Sequence, residues 1–199
     1  DEVLIGIGGD SVYRWGPNSG SDRIADRAGA ADRIIIDAYF GDVAIRLDTA
    51  ERSTDVLFAL LGTGETLRVL GQRLVEGRAI ETFVFRDRTL SLTELDVILN
   101  TGTSGDDIII GSARSDQITG GAGNDLLRGG VGNDNYRFDS GWGEDRILEV
   151  NAGNTVTFGP GIARDDISAE RGTDDSLVLR STAGDVLTIV GGLRAPVVS

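Results

Sequence analysis

Four aspartates spaced nine residues apart are the side chains in this sequence best suited to chemistry: Asp107, Asp116, Asp125 and Asp134. Each is the sixth residue of a nine-residue unit. The units run without a gap as Gly102–Ile110, Gly111–Thr119, Gly120–Arg128 and Gly129–Arg137. A run such as Gly-Gly-Ala-Gly-Asn-Asp at 120–125 offers main-chain carbonyls in a tight turn with a carboxylate beside them. That donor set suits a hard divalent cation such as calcium, which takes about six to eight oxygens at roughly 2.3–2.6 Å. The candidate ligands are the four carboxylates and the carbonyls of Gly120, Ala122, Asn124, Gly129, Val131 and Asn133.

The elements that must hold these groups follow from the same spacing. Glycine supplies the positive φ and close backbone approach that the turn needs. The three residues after each aspartate read as a short strand whose middle side chain points inward: Ile109, Ile118, Leu127 or Tyr136. Six residues of turn and three of strand make half a coil, so two units close one. Asp107 then stacks over Asp125 on one side and Asp116 over Asp134 on the other. One Gly-Asn-Asp run is an ordinary turn, but turn chemistry alone does not fix a nine-residue period over four units. The second unit departs from the pattern with Ser112 and Arg114 in place of glycine. Arg114 is ill suited to positive φ, and its charge opposes a cation.

These units resemble the RTX, or haemolysin-type, calcium-binding nonapeptide repeat of large type I-secreted proteins. The resemblance implies an all-β fold, a right-handed parallel β-roll or calcium solenoid, with Ca2+ clasped between stacked loops. It also implies a secreted, extracellular setting, with neighbouring repeat blocks of a parent chain as partners. The likeness is strong over 102–147 and looser elsewhere.

The repeat has a worn copy upstream. Tyr13-Arg14-Trp15 and Gly20-Ser21-Asp22-Arg23-Ile24 match Tyr136-Arg137-Phe138 and Gly143-Glu144-Asp145-Arg146-Ile147 at one constant offset. Asp139–Ile147 therefore reads as a fifth loop with a two-residue insertion and Asp145 as ligand. Glu2, Ser11 and Asp22 take the places of Asp125, Asp134 and Asp145, and the uncharged Ser11 argues against calcium there. Further on, Leu57-Phe-Ala59 and Gly64–Val69 match Leu177-Val-Leu179 and Gly184–Ile189.

We therefore expect residues 1–24 to be the remnant of a preceding repeat block. Residues 25–99 should be a β-rich flanking segment, 100–149 the calcium roll, and 150–199 a second flanking segment cut short. Ile34–Ile36, Ala44–Leu47, Val56–Leu60, Thr66–Leu70 and Thr82–Phe85 read as strands. Ser91-Leu-Thr-Glu94 is a capping box for one short helix over 91–99, with a packing role.

Composition narrows the chemistry. The 199 residues carry a net charge of −13, which disfavours nucleic acid and anionic membrane and favours a cation. Aromatics are only 6% and glycines number 29, which suits a thin, loop-rich solenoid. With neither Cys nor His there is no disulfide, thiolate site or zinc ligand set of the usual kind. No apolar run approaches the length of a membrane span.

Other chemistries fit poorly. The pairs Asp106/Asp107, Asp165/Asp166 and Asp174/Asp175 are too close in sequence to face each other across a glycosidase cleft. Asp165 and Asp166 read as a turn or helix start. Trp15 and Trp142 read as packing at a coil end, and Arg23, Arg33, Arg146 and Arg164 as surface ion pairs. No nucleophile elbow or phosphate loop is present. The function expected is thus a non-enzymatic, monomeric calcium-binding module that folds on meeting extracellular calcium. The alternative is an adhesin or toxin segment that contacts a cell-surface receptor.

Overall fold

The computed structural model describes residues 1–26, 29, 31–48, 54–73, 80–148 and 153–191. They form two compact units, 1–99 and 100–199.

The first unit contains β1 (Val3–Gly6), β2 (Val12–Trp15), β3 (Asp22–Asp26), β4 (Arg33–Ile36), β5 (Val43–Leu47), β6 (Val56–Leu60), β7 (Thr66–Val69), β8 (Thr82–Val84), β9 (Thr89–Ser91) and α1 (Leu92–Leu99). The second contains β10 (Ile108–Ile110), β11 (Gln117–Ile118), β12 (Leu126–Arg128), β13 (Asn135–Phe138), β14 (Glu144–Leu148), β15 (Thr155–Phe158), β16 (Ile167–Arg171), β17 (Leu177–Ser181) and β18 (Val186–Val190).

In the second unit, successive repeat strands alternate between two parallel sheets. β10, β12 and β14 lie side by side in one sheet, and β11, β13 and β15 in the other. The register is that of a coil: Ile109 pairs with Leu127 and Leu127 with Ile147, while Ile118 pairs with Tyr136 and Tyr136 with Val156. The fold is therefore an all-β parallel roll. The first step, Ile108 to Leu126, is 18 residues; the next, Leu126 to Arg146, is 20, because the fifth loop carries its two extra residues. Glycines let the coils stack this closely. A Cβ on Gly102 would overlap the carbonyl oxygen of Gly120, and one on Gly111 that of Gly129.

Inward rows form the core. Ile109, Ile118, Leu127, Tyr136 and Ile147 are buried together with Phe138, Trp142 and Leu187. Each such side chain contributes on the order of 1.5–3 kcal/mol through burial. Trp142 lies 5.8 Å from the Phe138 ring and 5.5 Å from that of Phe158. Trp15 is also buried, in the first unit.

The flanks fold back on the roll as meanders. β18 adds in parallel to β14, then β17 and β16 follow antiparallel, giving the order β10-β12-β14-β18-β17-β16. The first unit repeats this plan as β1-β3-β7-β6-β5, and its second sheet runs β2-β4-β8-β9. The expected strands at 34–36, 44–47, 56–60, 66–70 and 82–85 correspond to β4 to β8.

α1 starts at the expected box. The Ser91 Oγ–H and N–H both donate to Glu94 Oε2, and Glu94 N–H returns to Ser91 Oγ. Leu95 and Leu99 are buried, but Val97 faces outward. The surface ion pairs expected of Arg23, Arg33, Arg146 and Arg164 do not form among the described residues. Parallel register sets Arg23 opposite Val3 and Arg68, and Arg146 opposite Leu126 and Thr188, so neither has an acid directly across from it. Ion pairs form elsewhere, including Arg86 with Asp37 and Arg180 with Glu170. Asp165 and Asp166 lie in the short helix Arg164–Asp166, where Asp166 accepts the Ala163 N–H.

Candidate metal centre

The aspartates of the loops form two ladders along the roll. Asp107 donates its N–H to Asp125 Oδ1 at 2.8 Å, and Asp125 donates to Asp145 Oδ1 at 2.8 Å. On the other side Asp116 donates to Asp134 Oδ1 at 3.0 Å, and Asp134 to Asn154 Oδ1 at 2.8 Å. Asp125, Asp134 and Asp145 thus each spend one oxygen on the coil before. Asn154 takes the place of a further aspartate 20 residues after Asp134, as Asp145 stands 20 after Asp125.

The second oxygen divides the loops into two kinds. Asp107 Oδ2 accepts the N–H and Oγ1–H of Thr103, at 2.6 and 2.9 Å. Asp116 Oδ2 likewise accepts the N–H and Oγ–H of Ser112, and its Oδ1 also takes the Asn100 amide. In the next two loops the residue in the Thr103 position is glycine at positive φ, Gly121 and Gly130. Asp125, Asp134 and Asp145 then keep an Oδ2 atom that is buried and accepts no hydrogen bond. Each of these residues is at most 2% exposed.

A buried, unpaired carboxylate oxygen is costly unless a proton or a cation meets it. Burial pushes the carboxyls of Asp125 and Asp134 up, against the lowering effect of the N–H groups they accept; the charges of Asp107 and Asp106, and of Asp116, add to the rise. Asp145 is pushed up to about 7, first by burial and then by the charges of Asp125 and Asp185.

The oxygens that could share a cation with these carboxylates are main-chain carbonyls. A Cβ on Gly102 would meet both the Gly120 carbonyl and, at 3.0 Å, Asp107 Oδ2; on Gly111 it would meet the Gly129 carbonyl and, at 3.0 Å, Asp116 Oδ2. The first carbonyl of the loop one coil on thus lies near the Oδ2 of Asp107 and of Asp116. Glycine at 102 and 111 leaves that space open. Among the described residues no three acidic side chains converge. A cation here would take carboxylate and carbonyl oxygens together, a donor set that fits calcium.

Of the candidate ligands, Asp107, Asp125 and Asp145 share one ladder, and Asp116 and Asp134 the other. The carbonyl residues Gly120, Ala122 and Asn124, and Gly129, Val131 and Asn133, lie in the loops between them. Asn124 and Asn133 also link coils through their N–H groups, which donate to Asp106 Oδ1 and Ser115 Oγ. The roles of Thr103, Ser112, Asn100 and Asn154 were not foreseen. The signal for the first two was available: a hydroxyl residue stands where the later units carry a second glycine.

The first unit keeps the ladder and loses the bare oxygens. Glu2 N–H donates to Asp22 Oδ1, and Ser11 N–H to Asp32 Oδ1. Tyr13 donates its hydroxyl to Asp26 Oδ2 at 2.6 Å. Among the described residues none of Glu2, Asp22 or Asp32 has a buried oxygen without a partner.

Residues 101–136 match the family described as the RTX calcium-binding nonapeptide repeat, in four copies. No curated protein matches the chain. Among solved structures, the chain is similar to an extracellular lipase of Serratia marcescens at 16% identity and a TM-score of 0.35. That likeness covers 95% of this chain and 36% of the lipase, so the chain spans about a third of that protein. It is also similar to a subunit of a mannuronan C5-epimerase of Azotobacter vinelandii, at 23% identity and a TM-score of 0.28, over 45% of this chain and 73% of the subunit.

Proposed function

We propose that residues 100–191 form a calcium-operated folding module of a secreted protein, disordered where calcium is scarce and rolled up where it is abundant. The observation that carries this reading is the trio of buried Oδ2 atoms on Asp125, Asp134 and Asp145 that accept no hydrogen bond. The repeat match over 101–136 supports the choice of ion.

Without a cation, three buried carboxylate oxygens that accept no hydrogen bond oppose closure of the coils. The glycine-rich loops add a chain-entropy cost of roughly 1–2 kcal/mol per residue fixed. Calcium offsets both, so its binding free energy becomes folding free energy. Asp125, Asp134 and Asp145 are the principal carboxylate ligands in this account. Asp107 and Asp116, already held by hydroxyls, are secondary. Gly120, Ala122, Asn124, Gly129, Val131 and Asn133 supply carbonyls. A chain of this kind would cross a secretion channel unfolded in calcium-poor cytosol and fold outside. Its role is structural and carries no catalysis of its own.

The test is circular dichroism of the whole chain in chelator and in millimolar calcium. Strand signal should rise sharply with calcium and fall on chelation. A spectrum indifferent to calcium would defeat the reading.

A further inference from the structure

The two units differ at one sheet edge. In the first, β8 and then β9 lie beyond β4, and α1 follows directly on β9. Ile34 pairs with Phe83 in parallel, and Phe83 with Leu90 antiparallel. In the second, β15 holds the place of β4. It pairs with Tyr136 and Phe138 of β13 as β4 pairs with Tyr13 and Trp15 of β2. The sheet β11-β13-β15 stops there, and among the described residues no strand lies beyond β15.

The backbone of that edge is laid out for a further strand. The N–H groups of Thr155 and Gly159 donate inward, to the carbonyls of Asp134 and Phe138, at 2.8 Å each. Hydrogen-bonding groups alternate sides along a parallel strand, so the N–H groups of Val156 and Phe158 face the open edge. Such an edge is a template for pairing with more polypeptide.

The side chains beside it are also uncovered. Ile34 and Ile36 are 0% and 1% exposed, whereas Val156 and Phe158, in the same places, are only half-buried. Phe58 is fully buried and stacks on Phe83 of the added strand, with ring centroids 5.3 Å apart. Phe58 pairs with Leu67 as Leu179 pairs with the matching Leu187, yet Leu179 is half-buried. Val69 is buried and its match Ile189 is not. Val156, Phe158, Leu179 and Ile189 all pack against the core of the roll. Four positions sealed in one unit are therefore partly open in the other, next to an open strand edge. Grouped apolar surface of this kind marks a place of contact, and strand addition is one way to fill it.

We infer that the edge of β15 is a docking slot for a polypeptide arm of the kind residues 80–99 form in the first unit: a strand added in parallel, a return strand and a short helix. The arm's first strand would pair with the N–H groups of Val156 and Phe158. Its apolar residues, in the places of Phe83 and Leu90, would cover Val156, Phe158 and Leu179. The first unit identifies the occupant, because its own slot takes a parallel strand. Two-fold pairing of β15 with the β15 of a second copy would have to run antiparallel. The slot follows from packing and is separate from the metal.

The experiment extends the full chain past Ser199 with a copy of residues 80–99. The copy then lies as far from β18 as Ile80 lies from β7. A control extension carries Phe83→Ser and Leu90→Ser within the copy. Amide hydrogen exchange is followed residue by residue in millimolar calcium. We expect the Val156 and Phe158 N–H groups to exchange slower by about tenfold or more in the extended chain than in the unextended one. The control extension should lose that protection. Equal exchange at both residues in all three chains overturns the slot. So does equal protection by the two extensions, since apolar cover would then play no part. A dimer of the unextended chain that protects the same two N–H groups also overturns it, because the occupant would be a second copy.

Discussion

The main-chain N–H of Asp107 donates to Oδ1 of Asp125, 18 residues on and 2.8 Å away. That rung repeats between Asp116 and Asp134 and between Asp125 and Asp145. It fixes one oxygen of Asp125, Asp134 and Asp145, and the fate of Oδ2 in each repeat rests with the second residue of its loop. Thr103 and Ser112 occupy theirs; Gly121 and Gly130 do not. From this difference come several consequences that can be measured.

Ser112→Gly should make its loop lean harder on the cation. It removes the hydroxyl that Asp116 Oδ2 accepts at 2.8 Å and keeps the main-chain N–H that donates to the same oxygen at 2.6 Å. The loss is that of one hydrogen bond, roughly 0.5–1.5 kcal/mol. The variant should therefore need more calcium than wild type to fold. Calcium titrations followed by circular dichroism give the comparison, and equal midpoints would contradict it.

Acidity should have opposite effects with and without the ion. Asp145 titrates at about 7 in the fold against an ordinary 3.8, so the folded form holds its proton more tightly than the unfolded chain. The contribution is fully present below about 3.8 and is lost as pH rises through about 7. Asp125 and Asp134 are raised in the same direction. In chelator the residual strand signal should therefore be greatest at acid pH and fall across that window. Calcium needs the ionised carboxylates, so its stabilising effect should grow over the same range. A calcium-induced gain in strand signal that does not vary with pH would count against this.

Glycine at the first position of a unit should be irreplaceable where coils touch. Gly102→Ala places a methyl onto the Gly120 carbonyl, whereas at Gly105 the nearest atom to a new Cβ is 3.9 Å away. We expect Gly102→Ala to cost about 1–3 kcal/mol by overpacking, and Gly105→Ala to be near neutral. Denaturant midpoints in calcium would show whether the two differ.

Truncating the inner row should be costly whatever the ion does. Leu127 is fully buried between Ile109 and Ile147. Leu127→Ala should cost about 2–5 kcal/mol, measured by urea unfolding in calcium. A loss below about 1 kcal/mol would mean the roll is not packed as described.

Much of this architecture was legible because the period is short and strict. Nine-residue spacing sets which side chains point inward, and the two-residue insertion before Asp145 reappears in the register of β14 on β12. The flanking strands were readable from β-branched runs between glycines. What stayed hidden depends on neighbours distant in sequence. Nothing local in Asp185 says that it stands over Gly143, 42 residues earlier. Asn100 lies just past the helix Leu92–Leu99, yet its side chain reaches Asp116 Oδ1 at 3.0 Å. The arginines misled for the same reason: charge pairing depends on which strand lies alongside, and β3 meets β7 with Arg23 opposite Arg68.

The most direct test is an anomalous-scattering difference map from crystals grown in calcium. The account predicts a peak in contact with the Oδ2 atom of each of Asp125, Asp134 and Asp145, within about 2.3–2.6 Å. A map that is flat at all three carboxylates, with the coils still stacked, would contradict it.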